Sequence, residues 1–291
     1  SWRHTTFYII LQIVMKIGII GFGSMGSMLM HKFLEAGTVL QEDLFITNRS
    51  KERLSEIPER YPKVNVMKNN EAVIKSSDIV FFCVKPTDMK EVAEATAGFF
   101  REGQHICAVN ACIRFNQLNT IFPNASCSIV IPSVTGEVDK SVTLATFNQF
   151  VPEREISLIK KLMGTFSSVV IIPENELGIC TDLTSCMPGF IASIFSIIVE
   201  EALSRSTLSK EDIHNMIITT ILGTSKLCVD QKMPFDKIVE RVATKGGITE
   251  EGTKVIKSAF PETVRTLFQR TKERRESTIL NWPGHFNKKN E

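Results

Sequence analysis

The segment IGIIGFGSMGSMLM, residues 17–30, constrains the fold more strongly than any other stretch of the sequence. Its apolar run is followed by Gly21, Gly23 and Gly26 in G-x-G-x-x-G spacing, and then by residues that favour helix. In a strand-to-helix turn the first glycine permits the tight turn, the second lets the backbone approach a pyrophosphate, and the third lets helix and strand pack closely. A tight turn without a ligand is the alternative interpretation. The spacing therefore predicts a dinucleotide-binding unit at the start of a sheet.

The length and the pattern of the chain indicate two domains. The 291 residues exceed the usual size of one domain, and a 43% share of hydrophobic residues is enough for two cores. From Met15 to about Pro173 short apolar runs alternate with helix-like segments, as in a parallel sheet with crossover helices, and beyond that point only helical patterns occur. The predicted fold is α/β, a Rossmann-type doubly wound sheet followed by an all-α C-terminal dimerisation domain. The predicted limits are 1–14 for an N-terminal extension, 15–173 for the Rossmann domain, 174–280 for the helical domain and 281–291 for a tail.

The apolar runs are almost continuous in Val, Ile and Phe, which favours strands that are covered on both faces. The predicted strands are 16–20, 43–48, 78–84, 105–110, 127–132, 141–147 and 168–173. The predicted helices are 51–57, 88–100 and 153–163 between them, and 175–186, 189–205, 210–229, 235–243, 249–258 and 261–277 after them. Because the C-terminal helices are unusually apolar for a surface layer, we expect a second subunit to cover them, in a homodimer or a higher homo-oligomer.

Charge and cysteine content restrict the partners. Lys and Arg total 34 against 32 acidic residues, so no net field attracts nucleic acid or an anionic membrane, and a small charged metabolite is expected. The most apolar interior stretch, 190–199, is too short to span a bilayer. Seven cysteines without C-x-x-C spacing indicate reduced, mostly buried thiols in a cytoplasmic protein and no metal site. His31 and His105 have no evident partner in the sequence and are interpreted as structural.

The end of the second predicted strand indicates which nicotinamide cofactor binds. NAD binders usually carry an Asp or Glu there for the ribose 2′-hydroxyl. This chain has Asn48, Arg49, Ser50 and Lys51 instead, and no carboxylate before Glu52. A guanidinium can hold a 2′-phosphate through charge-assisted hydrogen bonds, whereas an Asp would repel it. We therefore expect NADP(H), and a solvated helix start is the alternative.

Several motifs in this arrangement resemble those of the pyrroline-5-carboxylate reductase family, from Met15 to about residue 275. They are IGIIGFGSMG, FCVKPTDM around Lys85 and Pro86, LGTSKL at 222–227, Pro234, and VATKGGITEEG at 242–252. The distance between the LGTSK and KGGIT segments is also as the family has it. The resemblance implies reduction of the C=N bond of a five-membered cyclic imine carboxylate to proline, with NAD(P)H.

The resemblance also implies site residues. The residues VKP at 84–86 would line the nicotinamide ribose, and KGGIT would hold the substrate carboxylate. Independently of the family, a Gly-Gly pair that opens a helix offers free N–H groups to a small carboxylate, and an ordinary helix–helix turn is the alternative. An iminium carbon is already electrophilic, so catalysis can rest on positioning and solvent exclusion. The expected catalytic contacts are Thr249, Thr244, Gly246 and Gly247, and the expected cofactor contacts are Gly21, Gly23, Ser24, Met25, Gly26, Asn48, Arg49, Ser50, Val84, Lys85, Pro86 and Asn110.

The chain departs from the family's pattern where substrate and nicotinamide are expected. The family's Met-Pro-Asn-Thr-Pro is here IPSVT, so that Ser133 replaces the Asn that would face the nicotinamide. Ser-Gly-Ser-Gly-Pro is here TSCMP at 184–188, Ala-Ala-Gly is NAC at 110–112, and Lys245 replaces the Pro before the Gly-Gly pair. These departures resemble the reductase-like late-competence ComER branch.

Three functions are compatible with these patterns. The first is an NADPH-dependent reductase of pyrroline-5-carboxylate or a close cyclic imine. The second is an NADP-binding regulatory protein with altered or lost catalysis, associated with late competence. The third is a β-hydroxyacid dehydrogenase, which needs a catalytic Lys followed by Asn one helical turn on, whereas Lys226 is followed by Asp230.

Overall fold

The computed structural model describes residues 15–280, so the predicted N-terminal extension and tail lie outside the described residues. Its centre is an eight-stranded sheet in the order β3-β2-β1-β4-β5-β6-β7-β8. The first six strands have the order of a Rossmann sheet, which confirms the predicted fold class. The strands are β1 (Ile17–Ile20), β2 (Leu44–Thr47), β3 (Asn65–Val66), β4 (Ile79–Phe82), β5 (His105–Ala108), β6 (Ser126–Ile131), β7 (Ser141–Phe147) and β8 (Ser167–Ile171).

The helices of the described residues follow the strands in alternation and then continue alone. They are α1 (Ser24–Glu35), α2 (Ile57–Arg60), α3 (Asn70–Ser76), α4 (Met89–Thr96), α5 (Phe115–Ile121), α6 (Glu153–Met163), α7 (Leu177–Thr181), α8 (Met187–Leu203), α9 (Lys210–Asp230), α10 (Phe235–Val242) and α11 (Ile248–Leu280). One π-helical turn, Asp182–Cys186, joins α7 to α8.

The strands at the centre of the sheet are buried on both faces, as their uninterrupted apolar sequence predicts. Successive side chains point to opposite faces of a strand, so neighbouring residues of β4 enter different cores. Phe81 packs with Phe33 of α1, at 5.8 Å between ring centroids, whereas Phe82 packs with Phe122 at 6.4 Å on the other face. The first of these cores contains buried side chains of both α1 and β1, and so holds the helix against the strand next to the turn between them.

The sheet differs from the sequence-based expectation at two places. The two-residue strand β3 was not predicted, because its single exposed Val66 gives no apolar run. Strand β7 is antiparallel to β6, whereas a parallel sheet is expected from the alternation of strands and helices. The connection between them is the short 3-10 turn Val134–Val138, and a segment of that length cannot form the crossover that a parallel pair requires.

A buried polar network crosses the core at the start of β5. His105 is fully buried, and its Nε2 is hydrogen-bonded to the Ser128 hydroxyl at 2.9 Å. Its Nδ1 lies 2.9 Å from a Glu155 carboxylate oxygen, although the two atoms are not in hydrogen-bond geometry. These partners lie 23 and 50 residues away, so the sequence alone does not reveal them. The network agrees with the structural interpretation of His105.

All seven cysteines are free thiols in the described part of the chain. Cys107 and Cys127 are buried, the other five are half-buried, and none of the cysteines in the described residues is exposed. Burial raises the pKa of Cys107 and of Cys127 to about 12, which keeps both thiols protonated at neutral pH.

The chain folds into two compact units, one containing residues 15–186 and 272–280 (the first unit) and the other residues 187–271 (the second unit). This division differs from the predicted limit between 173 and 174, because α7 and the π-helical turn pack against β7. The second unit contains α8, α9, α10 and most of α11. Many of its large apolar side chains are exposed, including Ile197 and Val229.

Helix α11 runs without a break through Pro261, whereas two helices were predicted, 249–258 and 261–277. Proline removes one intrahelical hydrogen bond and usually interrupts a helix. Here it lies between two stretches rich in Glu, Lys and Arg, which are strong helix formers. The observed helix shows that these stretches outweigh the local cost of the proline.

One helical stretch of the described residues, 174–203, is long and apolar enough to cross a membrane by length and composition. Only 11% of its most apolar window is buried. The stretch 190–199, taken alone, was predicted to be too short to cross a bilayer. It is part of this longer helical stretch, so its length no longer excludes a membrane-spanning helix. An apolar helix that is covered in an oligomer passes the same test, and the absence of a membrane partner stays a prediction.

Candidate functional site

The turn between β1 and α1 has the geometry that its glycines predict. Gly21 has φ +95°, a conformation that favours glycine, and its N–H donates to the Thr47 carbonyl at 3.0 Å. A Cβ added at Gly26 would lie 2.1 Å from the Gly21 carbonyl oxygen, so only glycine permits this approach of helix to strand. At Gly23 an added Cβ would meet only Nη1 of Arg53, at 3.8 Å. The middle glycine therefore faces open space above the turn.

The N-terminus of α1 is free to bind an anion. No side chain caps the helix at Gly23. The N–H groups of a first helical turn have no acceptor within the helix, and they carry the positive end of the helix dipole. The Phe22 N–H donates to Oδ1 of Asn48 at 2.8 Å, which ties this turn to the end of β2. An open glycine cradle under free amides fits a dinucleotide pyrophosphate.

A cavity of about 240 Å³ lies beside this turn, at the carboxyl ends of β1, β2 and β4. Seven of the predicted cofactor residues line it: Gly21, Gly23, Asn48, Arg49, Ser50, Val84 and Lys85. It is also lined by residues that were not predicted: Ile20, Arg53, Asn70, Cys83, Asp88 and Val92. In parallel α/β sheets this edge is where nucleotides bind.

The charged groups around the cavity are not equally available to a ligand. The Arg49 side chain is 90% exposed, with Nη1 3.7 Å from the Asp88 carboxylate. Lys51 Nζ donates to the carbonyls of Met67 and Lys68, so this cation is used to hold the sheet edge. Arg53 has no ion-pair partner among the described residues. Arg53, like Lys85 of the same cavity, is therefore available to a ligand. Arg53 and Lys51 are only two residues apart, and the sequence does not show which of them is free.

The Ser50 hydroxyl is also engaged. It donates to a Glu52 carboxylate oxygen at 2.6 Å, and this hydrogen bond lowers the pKa of Glu52. A 2′-phosphate that accepted from Ser50 would compete with this carboxylate. The cations beside the cavity are therefore better placed than this hydroxyl to bind a phosphate.

Five predicted cofactor residues do not line the cavity. Ser24 is exposed and lines a separate groove, Met25 is half-buried against the core, and Gly26 packs under the turn. Pro86 is exposed beyond Lys85. Asn110 lies after β5, where it is 5% exposed. The roles of these residues stay predictions.

Two of the segments that depart from the family's pattern, IPSVT and TSCMP, make hydrogen bonds within their own turns. The Ser133 hydroxyl accepts from the Thr135 hydroxyl at 3.2 Å and caps the 3-10 turn before β7. In the second segment, the π-helical turn carries Thr184, whose hydroxyl donates to the Cys180 carbonyl at 2.8 Å. π-Helical turns often occur at functional sites.

The predicted substrate segment forms a turn between α10 and α11. Gly246 has φ +73°, and its N–H donates to a Glu250 carboxylate oxygen at 2.6 Å. The Gly247 N–H donates to the Thr244 carbonyl at 2.9 Å, and Thr249 is exposed in the first turn of α11. The expectation that both glycine N–H groups are free is therefore wrong, because one closes the turn and the other binds a side chain from the next helical turn.

A buried ion pair next to the π-helical turn was not predicted. Arg275, near the end of α11, donates through Nη2 to Oδ1 of Asp182, and the two side chains are 9% and 2% exposed. A Cβ at Gly178 would lie 3.2 Å from the guanidinium, so this glycine makes room for it. The partners are separated by 93 residues, and no sequence spacing indicates the pair.

Two family models match the chain. Residues 16–108 match the family described as NADP oxidoreductase, coenzyme F420-dependent, and residues 174–278 match pyrroline-5-carboxylate reductase dimerisation. The first description names NADP, in agreement with the cofactor that was predicted. The second supports homo-oligomerisation.

Individual proteins extend the match over nearly the whole chain. Pyrroline-5-carboxylate reductase 3 of Bacillus subtilis is 33% identical over 88% of this chain and 94% of its own length. ComE operon protein 4 of the same organism is 29% identical over 91% of this chain and 97% of its own. The structure is similar to that of Plasmodium falciparum pyrroline carboxylate reductase with NADP bound, with TM-score 0.82, 20% identity, and coverage of 92% of this chain and 99% of that one. Both relatives agree with the predicted resemblance, including its late-competence branch.

Proposed function

The chain belongs to the pyrroline-5-carboxylate reductase family, and we propose that it reduces the C=N bond of pyrroline-5-carboxylate with NADPH to give proline. The observation that carries this proposal is the intact dinucleotide turn, with its cavity and its free Arg53, in a chain that aligns with 94% of a relative named for this activity. The reaction has a balanced form: a hydride reaches the imine carbon and a proton reaches the ring nitrogen. NADPH, when bound, supplies the hydride.

The residues of the first unit bind and orient the cofactor in this proposal. The amides at the start of α1 bind the pyrophosphate, and Arg49 and Arg53 hold the 2′-phosphate by charge. Val84 and Lys85 line the nicotinamide ribose. No strong acid is required, because the imine of such a substrate is easily protonated in water before it binds.

The substrate carboxylate binds at the start of α11. Since the Gly246 N–H is occupied, the first acceptors of this anion are the free amides of the first helical turn and the Thr249 hydroxyl. Thr244 stands at the other side of the turn. Displacement of the Glu250 carboxylate by the substrate carboxylate would free the Gly246 N–H as a further donor.

The exposed apolar surface of the second unit fits a homodimer. Large side chains along α8 and α9, such as Ile197 and Leu222, are 68% and 60% exposed. Apolar surface of this extent on helices usually lies in an interface. We expect the same faces of two copies to cover each other, as in a two-fold symmetric pair.

A second candidate is an NADP-binding protein of this family in which catalysis is altered or lost. The specific observation in its favour is that a shorter Ser133, whose oxygen accepts from Thr135 in its own turn, stands where the family has an amide. The N–H groups of Gly246 and Gly247 are also engaged within the chain. The similarity to ComE operon protein 4 adds to it. This candidate shares the cofactor and differs only in the substrate site.

Turnover of the purified full chain distinguishes the two candidates. We expect NADPH to be consumed when pyrroline-5-carboxylate is added, and proline to accumulate in equal amount. Thr249→Val is expected to lower kcat/KM about 10-fold or more, because it removes a hydroxyl donor to a charged group. Thr253→Val is the matched control, since its hydroxyl donates to the Glu250 carbonyl one turn further along the same helix.

Tight NADPH binding by calorimetry without consumption of pyrroline-5-carboxylate would reject the reductase and support the second candidate. Equal loss in Thr249→Val and Thr253→Val would reject the role of Thr249 in the substrate site, because both substitutions would then act only through the helix.

A further inference from the structure

In the side-chain amide of Asn110 the oxygen is hydrogen-bonded and the nitrogen is not. Its Oδ1 accepts from the Cys112 N–H at 2.7 Å. Its Nδ2 is buried and has no hydrogen-bond partner among the described residues. A backbone N–H can donate only to the oxygen of the amide, so the orientation of the side chain is fixed and the nitrogen is the atom left over.

A buried donor without an acceptor is costly. Leaving such a group unpaired in a folded chain is unfavourable enough that most are paired with protein, water or ligand. Alanine or glycine at this position would avoid the cost. The chain instead carries a side chain whose nitrogen finds no acceptor among the described residues.

The position of Asn110 identifies the region of the ligand that could supply this acceptor. Strands β4 and β5 are paired in parallel with Phe82 opposite Ala108, and the Val109 N–H donates to the Phe82 carbonyl. Asn110 therefore follows β5 at the same edge at which Val84 follows β4, and Val84 lines the cavity. In a doubly wound sheet the half beyond β1 receives the second mononucleotide of a dinucleotide.

The neighbouring strand β6 is followed by a shorter side chain. The Ser133 oxygen accepts from the Thr135 hydroxyl at 3.2 Å, and the side chain is 2% exposed. Ser133 offers a hydroxyl and no amide, so the unpaired amide donor at this part of the edge is that of Asn110, after β5.

We propose that Nδ2 of Asn110 donates a hydrogen bond to an oxygen of the nicotinamide half of bound NADP(H), and so positions that half of the cofactor. This inference rests on the proposed function for the identity of the cofactor, but it does not require that catalysis is retained. Asn110 acts on binding and orientation of the cofactor, and the Cys112 N–H holds its amide in place.

Calorimetry with two ligands tests the assignment. NADPH carries both halves of the dinucleotide, whereas adenosine 2′,5′-bisphosphate carries only the adenosine half. We expect Asn110→Ala to weaken NADPH binding about 3- to 10-fold, the usual effect of one lost hydrogen bond. Binding of adenosine 2′,5′-bisphosphate should stay within about twofold, which also proves that the variant is folded.

Asn110→Asp is the matched variant. It keeps the Oδ1 acceptor for Cys112 and removes the donor, so we expect it to lose at least as much NADPH affinity as Asn110→Ala. If Asn110 only stabilised its own turn, Asn110→Ala would weaken both ligands equally. Equal weakening overturns the inference, and so does NADPH binding by Asn110→Asp that equals that of the wild type.

The outcome is separable from that of the proposed function. If the wild type binds NADPH but does not reduce pyrroline-5-carboxylate, the proposed reaction is rejected. The NADPH affinities of the wild type and of the Asn110 variants can still be compared. A wild type that fails to bind NADPH overturns the assignment of this donor together with the cofactor.

Discussion

The first unit buries most of its large apolar side chains, whereas the second unit leaves many of its own exposed. Among the described residues, all buried hydrophobic side chains lie in the first unit except Val199 and Ile213. The second unit leaves Leu222, Val229 and Ile248 60%, 74% and 94% exposed. The first unit has a core of its own, whereas the second has apolar surface that a partner must cover for its burial to contribute stability.

The same contrast applies to the two predicted binding sites. The cofactor cavity is formed by side chains and amides that face open space, such as Gly23 and Arg53. The turn before α11 has already used its glycine amides, one of them on Glu250. The cofactor cavity therefore has its donors open, whereas the turn before α11 gains the Gly246 N–H as a donor only when the Glu250 carboxylate is displaced.

The largest expected effect concerns the anchor of α11 in the first unit. Arg275→Ala leaves the Asp182 carboxylate buried without its guanidinium, which should cost about 3–5 kcal/mol in the free energy of unfolding measured with denaturant. Arg265→Ala, on the same helix, breaks an exposed pair with Glu262 and should cost less than about 1 kcal/mol. Equal losses would contradict the view that the first unit depends on this buried pair.

The next effect concerns the apolar surface of the second unit. Leu222→Glu places a charge on that surface and should weaken self-association about 100-fold, or roughly 2.7 kcal/mol, in sedimentation equilibrium. Val138→Glu introduces the same charge at a 68% exposed residue of the first unit and should leave self-association unchanged. Unaltered association of the Leu222 variant would show that another face forms the oligomer.

The smallest expected effect is a loss of NADPH affinity when Arg53, at the cofactor cavity, is replaced. Arg53→Ala should weaken NADPH binding about 10-fold, or roughly 1.4 kcal/mol, and leave NADH binding unchanged, because only NADPH carries the 2′-phosphate. Lys51→Ala is the matched control, since Lys51 is bonded to the Met67 and Lys68 carbonyls. Equal weakening of NADPH and NADH would place Arg53 at the pyrophosphate and reject its role in selecting NADP.

Local patterns were sufficient to predict the strands and the phosphate turn. Each of the seven predicted strands overlaps an observed one, because a fully buried strand needs a continuous apolar run that the sequence displays directly. The turn was equally visible, since the close approach of Gly26 to Gly21 restricts both positions to glycine. These features depend on neighbours in sequence.

The features that the sequence did not predict depend on partners far along the chain, or on which of several nearby groups is already hydrogen-bonded. Arg275 lies 93 residues from Asp182, and no local spacing distinguishes it from the other arginines of α11. Arg53 became evident only after Lys51 proved to be occupied by backbone carbonyls. The loss of a free amide at Gly246 likewise required the position of the Glu250 side chain.

The most direct measurement of the central claim is isotope transfer by the full chain. With NADPH deuterated at both C4 positions of the nicotinamide and unlabelled pyrroline-5-carboxylate, the proposed reaction predicts proline that carries one deuterium on the ring carbon of the former C=N bond. Asn110→Asp should give the same labelled product at a lower NADPH affinity. Saturating binding of labelled NADPH without deuterium in proline would contradict the account and identify the chain as a cofactor-binding member of the family that does not perform this reduction.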